Sequence, residues 1–268
     1  YSLQRMFGKY PDRFNVWCGI DTAGFDQPGF GPAAVKELER CFRAGARGVG
    51  EISDKGTGVA RRAAPGARMH PDDPRLDVVW QKCAELGMPV NLHVADPIWA
   101  YGPMDEINDG LMNGFKWRLD NRPGIVRFEG MIEILERTVK RNPRTVFVAC
   151  HLANLDFDLT RLGKLLDTYP NLYADISARF GEIASAPRAG AGFLTRYADR
   201  VVYGTDQGRA DSMYRRTFRI LETLDEHFYE IEHFNYHWNL SGLGLSDPVL
   251  KKIYRETALR LMAKTARR

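Results

Sequence analysis

Six short apolar runs, separated by helical patterns, decide what this chain can fold into. They lie at Arg13–Ile20, Gly48–Ile52, Pro89–Val94, Thr145–Leu152, Leu172–Ser177 and Arg200–Asp206. Most are continuous rather than alternating, as in strands covered on both faces. Between them, Pro32–Ala44 stops at Gly45, and Pro74–Leu86 follows the capping acids Asp72 and Asp73 and ends before Gly87. Glu129–Arg141 and Asp158–Tyr169 are each closed by a proline shortly beyond their ends. Strand and helix alternating over short links predict an α/β fold with a parallel sheet and crossover helices. Six strands suit an open doubly wound sheet, whereas a closed (β/α)8 barrel needs two more.

The 268 residues fit one domain, read here as 1–268. With 44% hydrophobic and 27% charged residues the chain is of ordinary globular type, so disordered and fibrous classes fall away. The net charge of +4 arises from 38 basic and 34 acidic residues mixed along the chain. No basic block forms a nucleic-acid surface, and the small excess favours at most an anionic substrate. No apolar stretch is long enough to cross a bilayer, and no signal peptide is visible, so the expectation is a cytoplasmic protein. Cys18, Cys41, Cys83 and Cys150 form no CxxC pair and read as reduced thiols, with Cys18 and Cys150 as small buried hydrophobes.

Two stretches, Asp54–Pro71 and Ala95–Gly124, are long loops that follow strands, the side on which parallel α/β folds build their sites. The second carries Trp99, Tyr101, Phe115 and Trp117, which makes Trp99 a candidate for contact with substrate. The polar residues at the C-terminal ends of the runs are Glu51, His93, His151, Asp175 with Ser177, and Asp206. Imidazoles and carboxylates delivered to one rim suit Zn²⁺ or a similar divalent ion. Each also has a plainer reading. Glu51 is a partner for Lys55, Asp175 ties down a loop, and either histidine is a hydrogen-bonded core residue. His233-Phe-Asn-Tyr-His237 would place two rings on one helical face, but lacks a Glu beside the first His and reads better as aromatic packing.

The segments Val90-Asn-Leu-His-Val, Ala149-Cys-His-Leu-Ala, Leu172-Tyr-Ala-Asp-Ile-Ser and Tyr203-Gly-Thr-Asp resemble successive strands of the amidohydrolase-related (amidohydrolase 2) family. That branch of the superfamily includes aminocarboxymuconate-semialdehyde decarboxylase and related hydrolases. Tyr10-Pro-Asp-Arg-Phe, Gly50-Glu-Ile, Asp72-Asp-Pro-Arg-Leu and the Gly242–Tyr254 tail extend the likeness from about Tyr10 to Met262. The resemblance implies a TIM-type (β/α)8 barrel with one divalent ion, Zn²⁺ first and Mn²⁺ second. It implies that His93 and Asp206 are ligands, that His151 is a ligand or general acid/base, and that Asp206 takes a proton from a metal-activated water. Arg179 is then a candidate for an anionic substrate group, beside the alternative of a surface or interface salt bridge, and Glu51 is a weaker substrate contact.

The family's first strand ends in His-x-His or Glu-x-His, and here the first histidine is His70, in a loop. By register Arg13–Ile20 matches the family's third strand, so the first two strands and their ligands are expected upstream of Tyr1. The expected activity is metal-assisted hydrolysis of a C–N or C–O bond in a small cyclic or aromatic acid. Decarboxylation is the alternative within the family, and a degenerate ligand-binding barrel the alternative outside catalysis. The expected partner is a small molecule, with no nucleic acid and no membrane, and self-association into a homo-oligomer is left open.

Overall fold

The computed structural model describes residues 7–10, 12–60, 68–206, 208, 210–232 and 236–266. Six strands form one sheet in sequence order, every neighbouring pair parallel: β1 (Trp17–Cys18), β2 (Gly48–Asp54), β3 (Val90–Val94), β4 (Phe147–Ala149), β5 (Leu172–Asp175) and β6 (Val201–Val202). Sequential parallel order with helical crossovers is the arrangement of a barrel wall. The doubly wound alternative, in which the strand order reverses at a switch point, is not what these residues form.

The helices follow local sequence closely. Helix α1 (Phe30–Arg43) links β1 to β2, and α2 (Pro74–Leu86) links β2 to β3. Asp73 caps α2 by accepting from the Arg75 backbone N–H at 2.9 Å, with Pro74 in the first turn. Helix α3 (Phe128–Arg141) buries Phe128, Met131, Ile132, Leu135 and Val139, an apolar stripe at helical spacing. Helix α4 (Leu159–Thr168) begins at a second capping acid, Asp158, and precedes β5. The short α5 (Phe180–Ser185) and α6 (Pro187–Arg196) bridge β5 and β6, and α7 (Asp211–Glu222) follows β6. The last helices, α8 (Asp247–Lys251) and α9 (Thr257–Ala266), return to β6, where the Tyr203 N–H donates to the Ile253 carbonyl at 3.0 Å.

Strand β3 shows how the sheet divides its faces. Val90, Leu92 and Val94 are fully buried on one face, and the period of two sends Asn91 and His93 to the other. Fully burying an aliphatic side chain of this size contributes about 1.5–3 kcal/mol.

The edge strands are shorter than the apolar runs foretold. Arg13–Ile20 supplies only the two residues of β1, and Arg200–Asp206 only the two of β6. Each edge has one neighbour, so backbone pairing ends sooner there than in β2 or β3. All four cysteines are free thiols, as expected. Among the described residues no helix is long and apolar enough to cross a membrane.

Candidate metal centre

The polar residues at the strand ends reach one region through unusual backbone. Four strand exits pass through left-handed residues that are not glycine: Ala95 after β3 (φ 63°), His151 after β4 (φ 59°), Ala178 after β5 (φ 53°) and Asp206 after β6 (φ 59°). After β4 the left-handed run continues through Leu152, Ala153 and Asn154. Non-glycine residues pay for this conformation, so surrounding contacts must hold it. Asp175 Oδ1 accepts the His151 backbone N–H at 2.9 Å, and Asn154 Nδ2 donates to the Val94 carbonyl at 3.0 Å. Neighbouring strand ends thus clamp the turn that presents the His151 imidazole.

Glu51 reaches the same place by a different route. The β2–β3 register shifts between Val49 and Ile52, an irregularity of the kind that re-aims a side chain. Gly50 sits there at φ 137°, and a Cβ on it would stand 2.6 Å from the Asn91 carbonyl oxygen, so only glycine fits. Glu51 Oε1 lies 2.8 Å from His93 Nδ1, and His151 Nε2 lies 3.2 Å from the same nitrogen. The two imidazole rings meet edge to face, with centroids 4.5 Å apart.

The hydrogen bonds assign the ring nitrogens. His151 Nδ1 faces the Ser177 carbonyl oxygen at 2.9 Å, which requires a proton on Nδ1 and leaves the Nε2 lone pair directed into the cluster. Burial, then the charges of His93 and Arg179, hold His151 neutral and push its pKa down to about 3. Burial also opposes a charge on His93, yet the carboxylates of Asp96 and Glu51 overcome it and hold His93 above the ordinary imidazole value. Asp175 is fully buried at its carboxyl, which is pushed up to about 6 despite the hydrogen bonds it accepts from Ser177 and the His151 backbone. Asp206 is exposed as a residue, but burial of its carboxyl group and the nearby charge of Glu51 still raise its pKa.

His93 Nε2 is buried and makes no hydrogen bond, although Asp96 Oδ1 stands 3.4 Å away. A buried imidazole nitrogen without a hydrogen bond is uncommon, and here it belongs to a residue flanked by two carboxylates and a second, neutral imidazole. This donor set fits a divalent ion. His93 Nδ1, His151 Nε2 and Glu51 Oε1 would hold it, and Asp206 shares a cleft with Glu51. That cleft, of about 360 Å³, is lined by Glu51, Asn91, Asp175, Ser177 and Asp206 among others. Glu51, Cys150 and His151 also form a group whose donor atoms all lie within 4.8 Å of one another. Cys150 is the least suited of these, because its thiol donates to Asn91 Oδ1 at 2.7 Å and burial holds it protonated.

Several expectations change in detail. Glu51 Oε1 stands against His93 Nδ1, and Lys55 pairs with Asp96 at 2.8 Å, not with Glu51. Asp96, two residues past β3, was missed by the sequence reading; a carboxylate so close to a strand end was the available signal. Cys150 is buried as expected but is not a plain hydrophobe, since its thiol is hydrogen-bonded within the centre. Arg179 is buried, which removes the surface salt bridge as its alternative. Its guanidinium is engaged by Asn154 Oδ1 at 2.6 Å and by the Ala178 carbonyl at 2.5 Å.

Trp99 packs within its own loop, its ring 5.1 Å from Trp117 and seated against Gly110 and Gly114, where added Cβ atoms would collide with it. His233, Phe234 and Asn235 lie outside the described residues. His237 is exposed in a non-helical segment beside the buried Tyr236, as aromatic packing requires.

Comparison with known proteins agrees with this architecture. Among solved structures the chain is similar to an uncharacterized TIM-barrel protein of Bordetella bronchiseptica, at 18% identity and TM-score 0.59, over 99% of this chain and 72% of that one. It is similar to 2,6-dihydroxybenzoate decarboxylase from Rhizobium at 19% identity and TM-score 0.61, over 98% and 75% of the two chains. It is also similar to 5-carboxyvanillate decarboxylase from Sphingomonas paucimobilis at 13% identity and TM-score 0.58, over 98% and 70%. At such identities the likeness establishes the fold, a TIM-type α/β barrel to which the described residues contribute six strands. No curated protein matches the chain. The family model described as Amidohydrolase (Amidohydro_2) matches residues 5–263, nearly the whole sequence, and the chain therefore belongs to the amidohydrolase family.

Proposed function

We propose that the protein is a metal-dependent decarboxylase of a small aromatic or cyclic acid. The observation that carries the reading is the convergence of Glu51 Oε1 and His151 Nε2 on His93 Nδ1. Decarboxylation is favoured over hydrolysis by the solved structures that share the fold. Two are the decarboxylases described above, and a third is a dihydroxybenzoic acid decarboxylase from Polaromonas with bound manganese and 2-nitroresorcinol, at 17% identity. Mn²⁺ therefore stands beside Zn²⁺ as the ion to test.

When bound, a divalent ion supplies positive charge that holds and polarises an anionic substrate. The residues of the chain do the rest. Nδ1 of His151 is fixed by the Ser177 carbonyl, so Nε2 stays unprotonated with its lone pair directed into the cluster, where it would serve as a ligand. Asp175 orients that turn through the His151 backbone, and the buried strand ends limit water at the centre. Asp206 lies on the open side of the cleft, where its raised pKa suits proton exchange with a bound acid.

The test is an assay of the Mn²⁺- or Zn²⁺-loaded protein against dihydroxybenzoates and carboxyvanillates, following CO₂ release, in parallel with lactones and aromatic amides. Release of CO₂ that depends on His151 supports the reading. Turnover of lactones or amides alone returns it to hydrolysis, and no turnover of either class by a metal-loaded protein removes it.

A further inference from the structure

A second cavity, of about 610 Å³, opens between the Ile98–Trp99 turn, the start of α4 and the α5–α6 corner. Its lining contains Asp109, Asp156, Asp158 and Glu182, the indoles of Trp99 and Trp238, and no Lys or Arg among the described residues. None of Glu51, His93, His151 or Asp206 lines it.

Its two deep acids are poorly compensated. The side chains of Asp156 and Glu182 are each 8% exposed, and among the described residues the cation paired with them is the buried guanidinium of Arg179. Arg179 makes its short hydrogen bonds elsewhere, to Asn154 Oδ1 and the Ala178 carbonyl. It reaches Asp156 and Glu182 only at 3.5 Å each. Asp156 Oδ1 is buried and makes no hydrogen bond, and the Trp99 indole N–H is likewise without an acceptor. Glu182 has one further partner, the Tyr236 hydroxyl at 2.9 Å. Two buried carboxylates share one guanidinium, and a buried charge is costly until something pairs with it.

We propose that this cavity is a binding site for an organic cation, an alkylammonium or alkylguanidinium group on an apolar stem. Asp156 and Glu182 receive the charge, and the indoles of Trp99 and Trp238 form part of the wall beside them. Asp109 and Asp158 at the mouth raise the local concentration of cations. The apolar walls, from Leu159, Ile183 and Ala186, accommodate the stem. The volume falls in the range of small-molecule sites, and the indole and aliphatic walls suit an organic stem.

The experiment titrates the metal-loaded, ¹⁵N-labelled protein with butylguanidinium and butylammonium chloride, with butanol as the neutral control. Saturable binding is expected for both cations and not for butanol. The indole N–H resonances of Trp99 and Trp238 should move while those of the other three of the five tryptophans stay in place. Asp156→Asn and Glu182→Gln, each isosteric, should weaken binding about tenfold or more, the loss expected for a desolvated charge pair. The tripeptides Gly-Lys-Gly and Gly-Arg-Gly distinguish the source: tighter binding of the tripeptide assigns a protein side chain, tighter binding of the free amine a small molecule. Absence of saturable binding, equal binding of butanol, or unmoved Trp99 and Trp238 resonances in the wild-type protein would overturn the proposal, as would unchanged affinity in either folded variant.

Discussion

Two clusters of buried charge sit on neighbouring strand ends and solve the same problem differently. Around Arg179 the positive charge is a guanidinium, which no accessible pH removes, and it is bound into the fold through Asn154 and Ala178. Around His93 the positive charge is a proton on an imidazole, drawn there by Glu51 and Asp96. A proton and a divalent ion compete for the same nitrogens, so the second cluster can exchange its cation and the first cannot. The Arg179 cluster is accordingly built into the folded state, and the His93 cluster is available for chemistry.

Exchanging the roles breaks the comparison, and the largest effect is expected at the exchangeable cluster. His151→Ala and His93→Ala should each lower activity by about 10²–10⁴-fold. Both variants should still melt cooperatively, as circular dichroism will show. A thermal collapse of His93→Ala would mean that this cluster is also structural. Next comes Arg179→Met, which strands Asp156 and Glu182 without their counter-charge and should cost about 3–5 kcal/mol in denaturant unfolding. A loss under about 1 kcal/mol would show that the acids were already protonated or otherwise paired.

Asn154→Ala is smaller. It removes the bonds to Val94 and to Arg179 that hold the left-handed turn, and about 1–3 kcal/mol of stability should go with them. Activity should fall through the displaced His151, and a variant with lost stability but unchanged kcat would separate the clamp from the catalytic geometry.

The smallest effect concerns a third charged pair, which stands apart from both clusters. Asp54 is buried, accepts the N–H groups of Gly56 and Gly58, and meets His70 Nδ1 at 2.6 Å, tying the two ends of the Asp54–Pro71 loop together. The hydrogen bond from His70 to Asp54 is the main reason that the His70 pKa is raised. A raised pKa in the folded state stabilises the fold fully below the unfolded value of about 6.5, and the contribution is lost as pH rises through the folded value. Unfolding titrations from pH 5 to 9 should show this component in the wild type and not in His70→Gln. An identical pH profile in the variant would remove His70 from the account.

Much of this arrangement was legible in the sequence. The runs around Val90–Val94 and Phe147–Ala149, and the capped helix Pro74–Leu86, carry patterns that local physics reads directly. His93, His151 and Asp206 were visible because a polar residue ending an apolar run needs a reason. The four left-handed exits at Ala95, His151, Ala178 and Asp206 were not visible, since none is a glycine and their conformation is imposed by contacts between strands. Glu51 was visible as a strand-end acid, but the register shift beside it, which depends on pairing between two strands far apart in sequence, was not. Arg179 read as a substrate contact or a surface or interface salt bridge, because nothing local reveals that Asn154, Asp156 and Glu182 close around it.

The central claim is that His93 belongs to a divalent-ion site, and the most direct measurement is metal content. The protein expressed with Mn²⁺ or Zn²⁺, freed of loosely bound ions by gel filtration, is analysed by mass spectrometry for bound metal beside the folded His93→Ala variant. About one divalent ion per chain is expected in the wild type, with a clear loss in the variant. A wild-type protein with no bound ion, or a His93→Ala variant that retains the full complement, would contradict it.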